Sequence, residues 1–243
     1  LIDRGRYGSE RGELPPASYR LVSKPRANKR QVAVRQAHTF CMCPGGTVVA
    51  ASNHPGRVVV NGMSYGGRRA WFANSAVIVE VGLEDYDGVD PLAGMRFQDV
   101  IEKRAWTLGG GDFRAPAQRV SDLLAGQGSR ELPRVSYTNG VTPTDLRELF
   151  SSELIQGLQA ALQHFDRRIP GFAGEEAILI APETRTTAPL RFLRDESYQA
   201  IGVEDLLPVG EGAGYAGGIV SAGLDGLRAA TVLVERYCPR KTE

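Results

Sequence analysis

"LLPVGEGAGYAGGIVSAGLDGLRAA", Leu206 to Ala230, sets an apolar run, a glycine-rich turn and an amphipathic helix in immediate succession. Five of the nine residues from Gly210 to Gly218 are glycine, and Gly212, Gly214 and Gly217 spell G-x-G-x-x-G. Glycine lets a backbone come close to a ligand, and a helix start gathers unpaired N–H donors and partial positive charge. The order therefore predicts a short buried strand over "LLPVG", an anion-facing turn, and a helix that begins at the glycines. Ala216, Ser221, Ala222 and Gly223 keep the first helical turns slim. A glycine turn that serves helix packing alone is the plainer alternative.

The match is not the primary dinucleotide fingerprint. Glu235 stands about 20 residues on, the spacing of a ribose-binding acid, but in the same predicted helix rather than at the end of a second strand. Glu211, just before the turn, is placed to accept hydrogen bonds from sugar or ribitol hydroxyls, or else is an ordinary loop acid.

Working outward, the texture changes twice. From Tyr19 to about Val81, "YRLVS", "QVAVRQ", "HTFCMC", "TVVAAS", "RVVVNGM" and "NSAVIVEVG" read as strands between turn residues, an antiparallel sheet or small barrel. Helical periods follow. Met95, Phe97, Val100, Ile101 and Ala105 mark one, "PAQRVSDLLAG" a second, and "TPTDLRELF" a third. A fourth is "SSELIQGLQAALQHFDRRI", with Ser152 as its N-cap. Strands are expected again within "AILIAPETRTTAPLRFLRD". The first eight residues pattern as a short helix. The opening "LIDRGRYGSE" lacks methionine, which fits a processed terminus or a cut in a longer chain.

Bulk composition is that of an ordinary globular protein, 42% hydrophobic and 23% charged over 243 residues. A net charge of +1 gives no electrostatic reason to expect nucleic acid. The apolar runs are too short to span a bilayer. Three cysteines, an odd number, fit a reducing cytoplasm better than a disulfide framework.

"HTFCMCPGG" offers His38, Cys41 and Cys43 as metal ligands, but tetrahedral zinc wants four and no second pair exists, so no metal is expected. Strand alternation would put Cys41 and Cys43 on one face, where a redox role competes with two structural cysteines. Asn61 of "NGMS", Ser64 and the "ANSA" segment bring amides and hydroxyls to strand ends, suited to a substrate carbonyl or to turn formation. Cys41, Cys43, Asn61 and Ser64 are the catalytic candidates, and none is assigned as acid or base. "GGGDFRAPAQ" is a weaker backbone-approach loop, and His164 reads as a packing or surface residue.

The C-terminal segment resembles that of a bacterial family of FAD-dependent dehydrogenases. So do "FCMCPGGTVVAAS", "VVVNGMSYGGRRAWFANSAVIV", "GGGDFRAPAQRVSDLLAG" and "APETRTTAPLRFLRD", in that order over most of the chain. The resemblance implies a glutathione-reductase-type FAD fold with a second domain inserted. On it, residues 1–14 leave the FAD domain, and 15–174 form the inserted, substrate-facing domain, β-rich over 19–82 and helical over 93–170. Residues 175–243 then return to the FAD domain. The fold class is thus α+β, with a strand–turn–helix belonging to an incomplete α/β FAD-binding domain.

The same resemblance places Glu211 at the ribityl chain. It sets Gly210, Gly212, Ala213, Gly214, Gly217, Gly218 and Ile219 along the pyrophosphate and flavin edge, with Arg185 and Thr186 near the flavin. Implied partners are the missing N-terminal half of the FAD domain, and a nicotinamide nucleotide or redox partner. No strand–GxGxxG–helix for the ADP half is present, so FAD binding by this chain alone is expected to be weak or absent. A nucleotide- or coenzyme-A-binding transferase and a non-catalytic interaction domain are the competing readings.

Overall fold

The computed structural model describes residues 12–14, 20–24, 34–86 and 90–238. The strands are β1 (Val22–Ser23), β2 (Ala37–Cys43), β3 (Gly46–Ala50), β4 (Val60–Ser64), β5 (Asn74–Val79), β6 (Ala115–Arg119), β7 (Val141–Pro143) and β8 (Ile178–Ile180). The helices are α1 (Ala93–Gly109), α2 (Val120–Leu124), α3 (Ser152–Arg168) and α4 (Ile219–Tyr237). The class is α+β, and among the described residues the three sheets stay open rather than closing into a barrel. The helix read over residues 1–8 lies outside the described residues. Two compact units form: residues 1–85 with 99–184, and residues 86–98 with 185–243.

In the first unit, β1, β2 and β5 pair antiparallel, β3 pairs antiparallel with β4, and β6 lies between parallel β7 and antiparallel β8. Helix α3 covers the first of these sheets. Its apolar positions Leu154, Ile155, Leu158, Ala161, Leu162 and Phe165 recur every three or four residues and are all buried. Phe165 and Ile169 pack with Leu21 and Ala37, and Val77, Val79 and Phe172 close around them. The approach needs Gly157, where a Cβ would stand 2.9 Å from Val79 Cγ1. The N-cap of α3 is Ser151 rather than Ser152. Ser151 has extended backbone, and its Oγ accepts from Leu154 N.

Three expected elements take other forms. "APAQR" is the central strand β6, because Ala115, Pro116, Ala117 and Gln118 are all buried whatever their period, and a strand buried on both faces carries no helical signature. Only Val120–Leu124 turns into helix. "TPTDLRELF" splits into β7 and a single 3-10 turn, Leu146–Glu148, where the Asp145 carboxylate takes the Arg147 N–H. In α1 the buried face is Ile101, Glu102 and Ala105, while Met95 and Val100 are exposed.

The second unit holds α4 and the irregular segments that pack on it. "LLPVG" is not a strand. The Pro208 carbonyl accepts from Arg194 Nη1, and the Gly210 N–H goes to Asp225, so side chains take the groups a ladder would use. "RFLRD" likewise reduces to one bridge, Arg194 with Ala200. Helix α4 buries Asp225 and Ala229 on one face, and a separate stripe of Val220, Leu224, Leu227 and Val234 stays exposed.

Candidate functional site

The glycine turn is assembled by the segment Leu190–Arg194. Phe192 N donates to Ala213 O at 3.2 Å, Arg191 Nε to Gly214 O at 3.0 Å, and Tyr215 Oη to Phe192 O at 2.8 Å. Beneath them, Arg194 binds Asp225 through two parallel hydrogen bonds, and Asp225 Oδ2 also accepts the Gly210 N–H at 2.8 Å. The Arg194 guanidinium lies 3.6 Å from the Tyr215 ring centroid and 4.2 Å from that of Tyr198. One buried cation thus ties the turn, the segment before it and the helix after it. Its hydrogen bonds hold the Asp225 carboxyl down at about 2.

The five glycines fall into two groups. Gly210 and Gly214 have φ of +74° and +84°, and a Cβ on Gly214 would stand 2.4 Å from Leu190 O. Turn geometry and packing require these two. Gly212 and Gly218 have no such φ, and a Cβ on Gly212 would meet nothing within 4 Å. At Gly217 and Gly218 the nearest atoms, Thr187 Cγ2 and Ser221 Oγ, would be at 3.7 Å, ordinary contact. Packing does not demand glycine at Gly212, Gly217 or Gly218. Gly212 alone of the three faces open space, the condition a ligand's close approach to the backbone demands.

Helix α4 starts immediately beyond, with Gly218 as an N-cap that supplies no side-chain acceptor. The first-turn N–H groups therefore keep their capacity for an anion. Ile219 is 90% exposed and Ala213 is buried beneath the turn. Glu211 is half-buried, Arg185 exposed and Thr186 half-buried. These residues fit the pyrophosphate or sugar portion of a dinucleotide cofactor: open glycine backbone, an uncapped helix start, and a carboxylate at the turn.

The other candidates lie in the first unit. Between Phe40 and Cys43 the β2–β5 register shifts, Phe40 pairing with Ala76 and Cys43 with Asn74. This bulge breaks the alternation that would have put Cys41 and Cys43 on one face, and Cys41 takes a φ of +45° within it. Cys43 lies beside Asn74 and Gly62: a Cβ on Gly62 would be 2.0 Å from Asn74 Oδ1 and 3.6 Å from Cys43 Sγ. Burial pushes the Cys43 thiol up, against a hydrogen bond with Ser64 and the field of Arg68 that favour its thiolate. Ser64 Oγ also donates to Pro44 O at 3.0 Å. Asn61 alternates with Ser64's side of β4 and its Oδ1 is buried without a partner. Cys43 and Ser64 are therefore together, and Asn61 is on the opposite face. Among the described residues no three His, Cys, Asp or Glu side chains gather as a metal site, and burial with Arg20 lowers the His38 pKa.

Two features carried no sequence signal. Glu183 follows the buried Ala181 and Pro182, close enough to Cys43 to raise its pKa, and burial pushes its own carboxyl up to about 7. The Arg194–Asp225 pair joins residues 31 apart. Only a shared tertiary environment reveals either.

The family described as "FAD-dependent protein, C-terminal domain-like" matches residues 1–186. The chain belongs to that family. An uncharacterized protein of Clostridium beijerinckii is 44% identical over 241 residues, covering 98% of this chain. The glycine turn lies beyond the residues matched by the FAD-dependent family. The chain spans 44% of that relative's length. No helix among the described residues is long and apolar enough to cross a membrane.

Proposed function

We propose that this chain is the substrate-facing and cofactor-closing portion of an FAD-dependent oxidoreductase. The observation that carries the reading is the pair of glycine classes in the turn, with Gly212, Gly217 and Gly218 left bare where packing does not need them. The membership of an FAD-dependent family names the cofactor that such a surface suits. FAD, when bound, supplies hydride or electron transfer through its isoalloxazine ring.

The chain's own residues bind and orient. The amides of Gly212 and of Gly217 to Ile219 would meet phosphate, those of Gly214 and Tyr215 being bonded to Glu211 O and Gly210 O within the turn; Glu211 would accept from ribityl hydroxyls, and Arg185 and Thr186 would serve the ring's polar edge. Arg194 and Asp225 hold the turn in place. The ADP half is bound by the rest of a longer polypeptide, in the manner of glutathione-reductase-type proteins. That part also covers the apolar stripe Val220, Leu224, Leu227 and Val234.

The test is the visible flavin spectrum of the full gene product. Flavin should copurify, and Glu211→Gln with Gly212→Val should lower its content without unfolding the protein. A full gene product that neither carries nor takes up flavin overturns the reading.

A further inference from the structure

Glu183 plays no part in the glycine turn, yet among the described residues no hydrogen bond and no ion pair holds its carboxyl, and burial alone raises it. A buried carboxylate without a partner is costly to ionise, and a surface position would avoid that cost. The backbone that carries it is fixed from both sides. Val60 N donates to Pro182 O at 2.9 Å, and Ala181 N to Pro116 O at 3.0 Å. On the other flank Thr184 Oγ1 donates to Glu102 Oε1 at 2.7 Å, and Glu102 is 2% exposed. Glu183 is thus presented by a segment tied to β4, β6 and α1.

Few titratable groups share its surroundings. Cys43 of β2 is near enough for the Glu183 charge to help hold the thiol proton on, while Arg68 and the Ser64 hydroxyl act on that thiol in the opposite sense. Glu102 of α1 meets the segment through the Thr184 hydroxyl. With no cation paired to Glu183, a negative charge arriving nearby would tighten its hold on a proton. The chain itself limits how far away such a charge can be. Arg185 is two residues along, and two residues at full extension span at most about 7 Å. Charge gathered at Arg185 therefore lies near Glu183 on the scale of a Debye length, about 10 Å, and a buried group is screened less than that.

We propose that Glu183 is the proton-exchanging residue of this oxidoreductase, binding one proton from water whenever two electrons enter the isoalloxazine ring that Arg185 serves. This rests on the flavin reading above and adds to it the residue that balances charge. A hydride brings the ring two electrons and one proton and leaves it negative. Glu183 answers that charge by passing from carboxylate to carboxylic acid, so two electrons enter with two protons. When an acceptor takes the hydride away, Glu183 gives its proton back to water. A carboxylate gripped by an arginine, as Asp225 is by Arg194, stays ionised throughout and cannot serve in this way.

The experiment is the flavin midpoint potential of the full gene product as a function of pH, with dithionite as the electron source and a reference dye. Above about pH 7 Glu183 is ionised before reduction. There the wild-type reduction equilibrium should fall more steeply than that of Glu183→Gln, by an extra factor approaching tenfold per pH unit, about 30 mV for a two-electron couple. Well below about pH 7 the two proteins should run parallel. Glu183→Asp, which keeps a carboxyl, should keep the extra slope. A second readout needs no variant. At pH 8 the reduced-minus-oxidised infrared spectrum of wild type should gain a protonated-carboxyl band that ¹³C-glutamate labelling shifts. Parallel potentials in wild type and Glu183→Gln at every pH overturn the proposal and leave flavin binding standing, as does a wild type with no such band. A full gene product that neither carries nor takes up flavin overturns the flavin reading, and this proposal with it.

Discussion

Arg194 grips the Asp225 carboxylate at 2.7 and 2.9 Å, and the same carboxylate takes the Gly210 N–H at 2.8 Å. Both side chains are about nine-tenths buried. A buried carboxylate satisfied from two directions is costly to expose, and removing either partner strands the other. Asp225→Ala should destabilise the second unit by about 3 kcal/mol, read by urea denaturation with tyrosine fluorescence, Tyr198 and Tyr215 being beside the pair. The carboxyl is depressed, so its contribution is present above the ordinary carboxylate pKa and is lost as pH falls toward about 2. The wild-type unit should therefore keep this contribution at pH 4, and Asp225→Ala should show less acid sensitivity below it.

The two classes of glycine make opposite demands on alanine. Gly214→Ala must place a methyl against Leu190 O at a left-handed φ, so the turn should rearrange and melting should fall. Gly212→Ala meets open space, and its stability should stay within about 0.5 kcal/mol of wild type. Thermal denaturation of the two variants side by side checks this. Equal losses would mean that Gly212 is also a packing residue.

Glu183 has the reverse pH dependence of Asp225. Its carboxyl is raised by burial to about 7, so the folded state holds its proton more tightly than the unfolded state. Stability should therefore fall as pH rises from the ordinary carboxylate range to about 7, then level off. Glu183→Gln removes the cost of the buried charge. It should be close to neutral at pH 4 and stabilising at pH 8, measured as a shift in melting temperature.

At Ser151 the prediction is smaller and local. Its Oγ takes the Leu154 N–H that would otherwise lack an acceptor at the start of α3. Ser151→Ala should cost about 1 kcal/mol, and Ser152→Ala much less, by chemical denaturation.

The contrast between Ser151 and Ser152 shows how far local pattern reaches. The period of Leu154, Leu158, Leu162 and Phe165 identifies α3, because one face of that helix is buried and the other is not, and the β-branched run Val77, Ile78 and Val79 identifies β5. β6 escaped that signal, since Ala115 to Gln118 are small or tucked in on every side. "LLPVG" looked like a strand because it is apolar, but Arg194 and Asp225 claim its polar groups from elsewhere in the chain. The glycine turn was legible from its density alone. Which glycines serve the turn and which leave a surface bare depends on Leu190 and Thr187, and these are near only after folding.

The bulge in β2 works as a change of parity. Before it, Ala37 and Thr39 are buried on one face, with His38 and Phe40 on the other. A strict alternation would return Cys43 to the face of Ala37 and Thr39. One surplus residue instead lines Cys43 up with Asn74, on the side shared by Phe40. Whether that thiol is filler for a hydrophobic interior or a neighbour of Ser64 and Glu183 is therefore decided by counting, not by chemistry. Removal of Met42 would leave Cys43 opposite Asn74, whereas closing the bulge at unchanged length would turn the thiol inward.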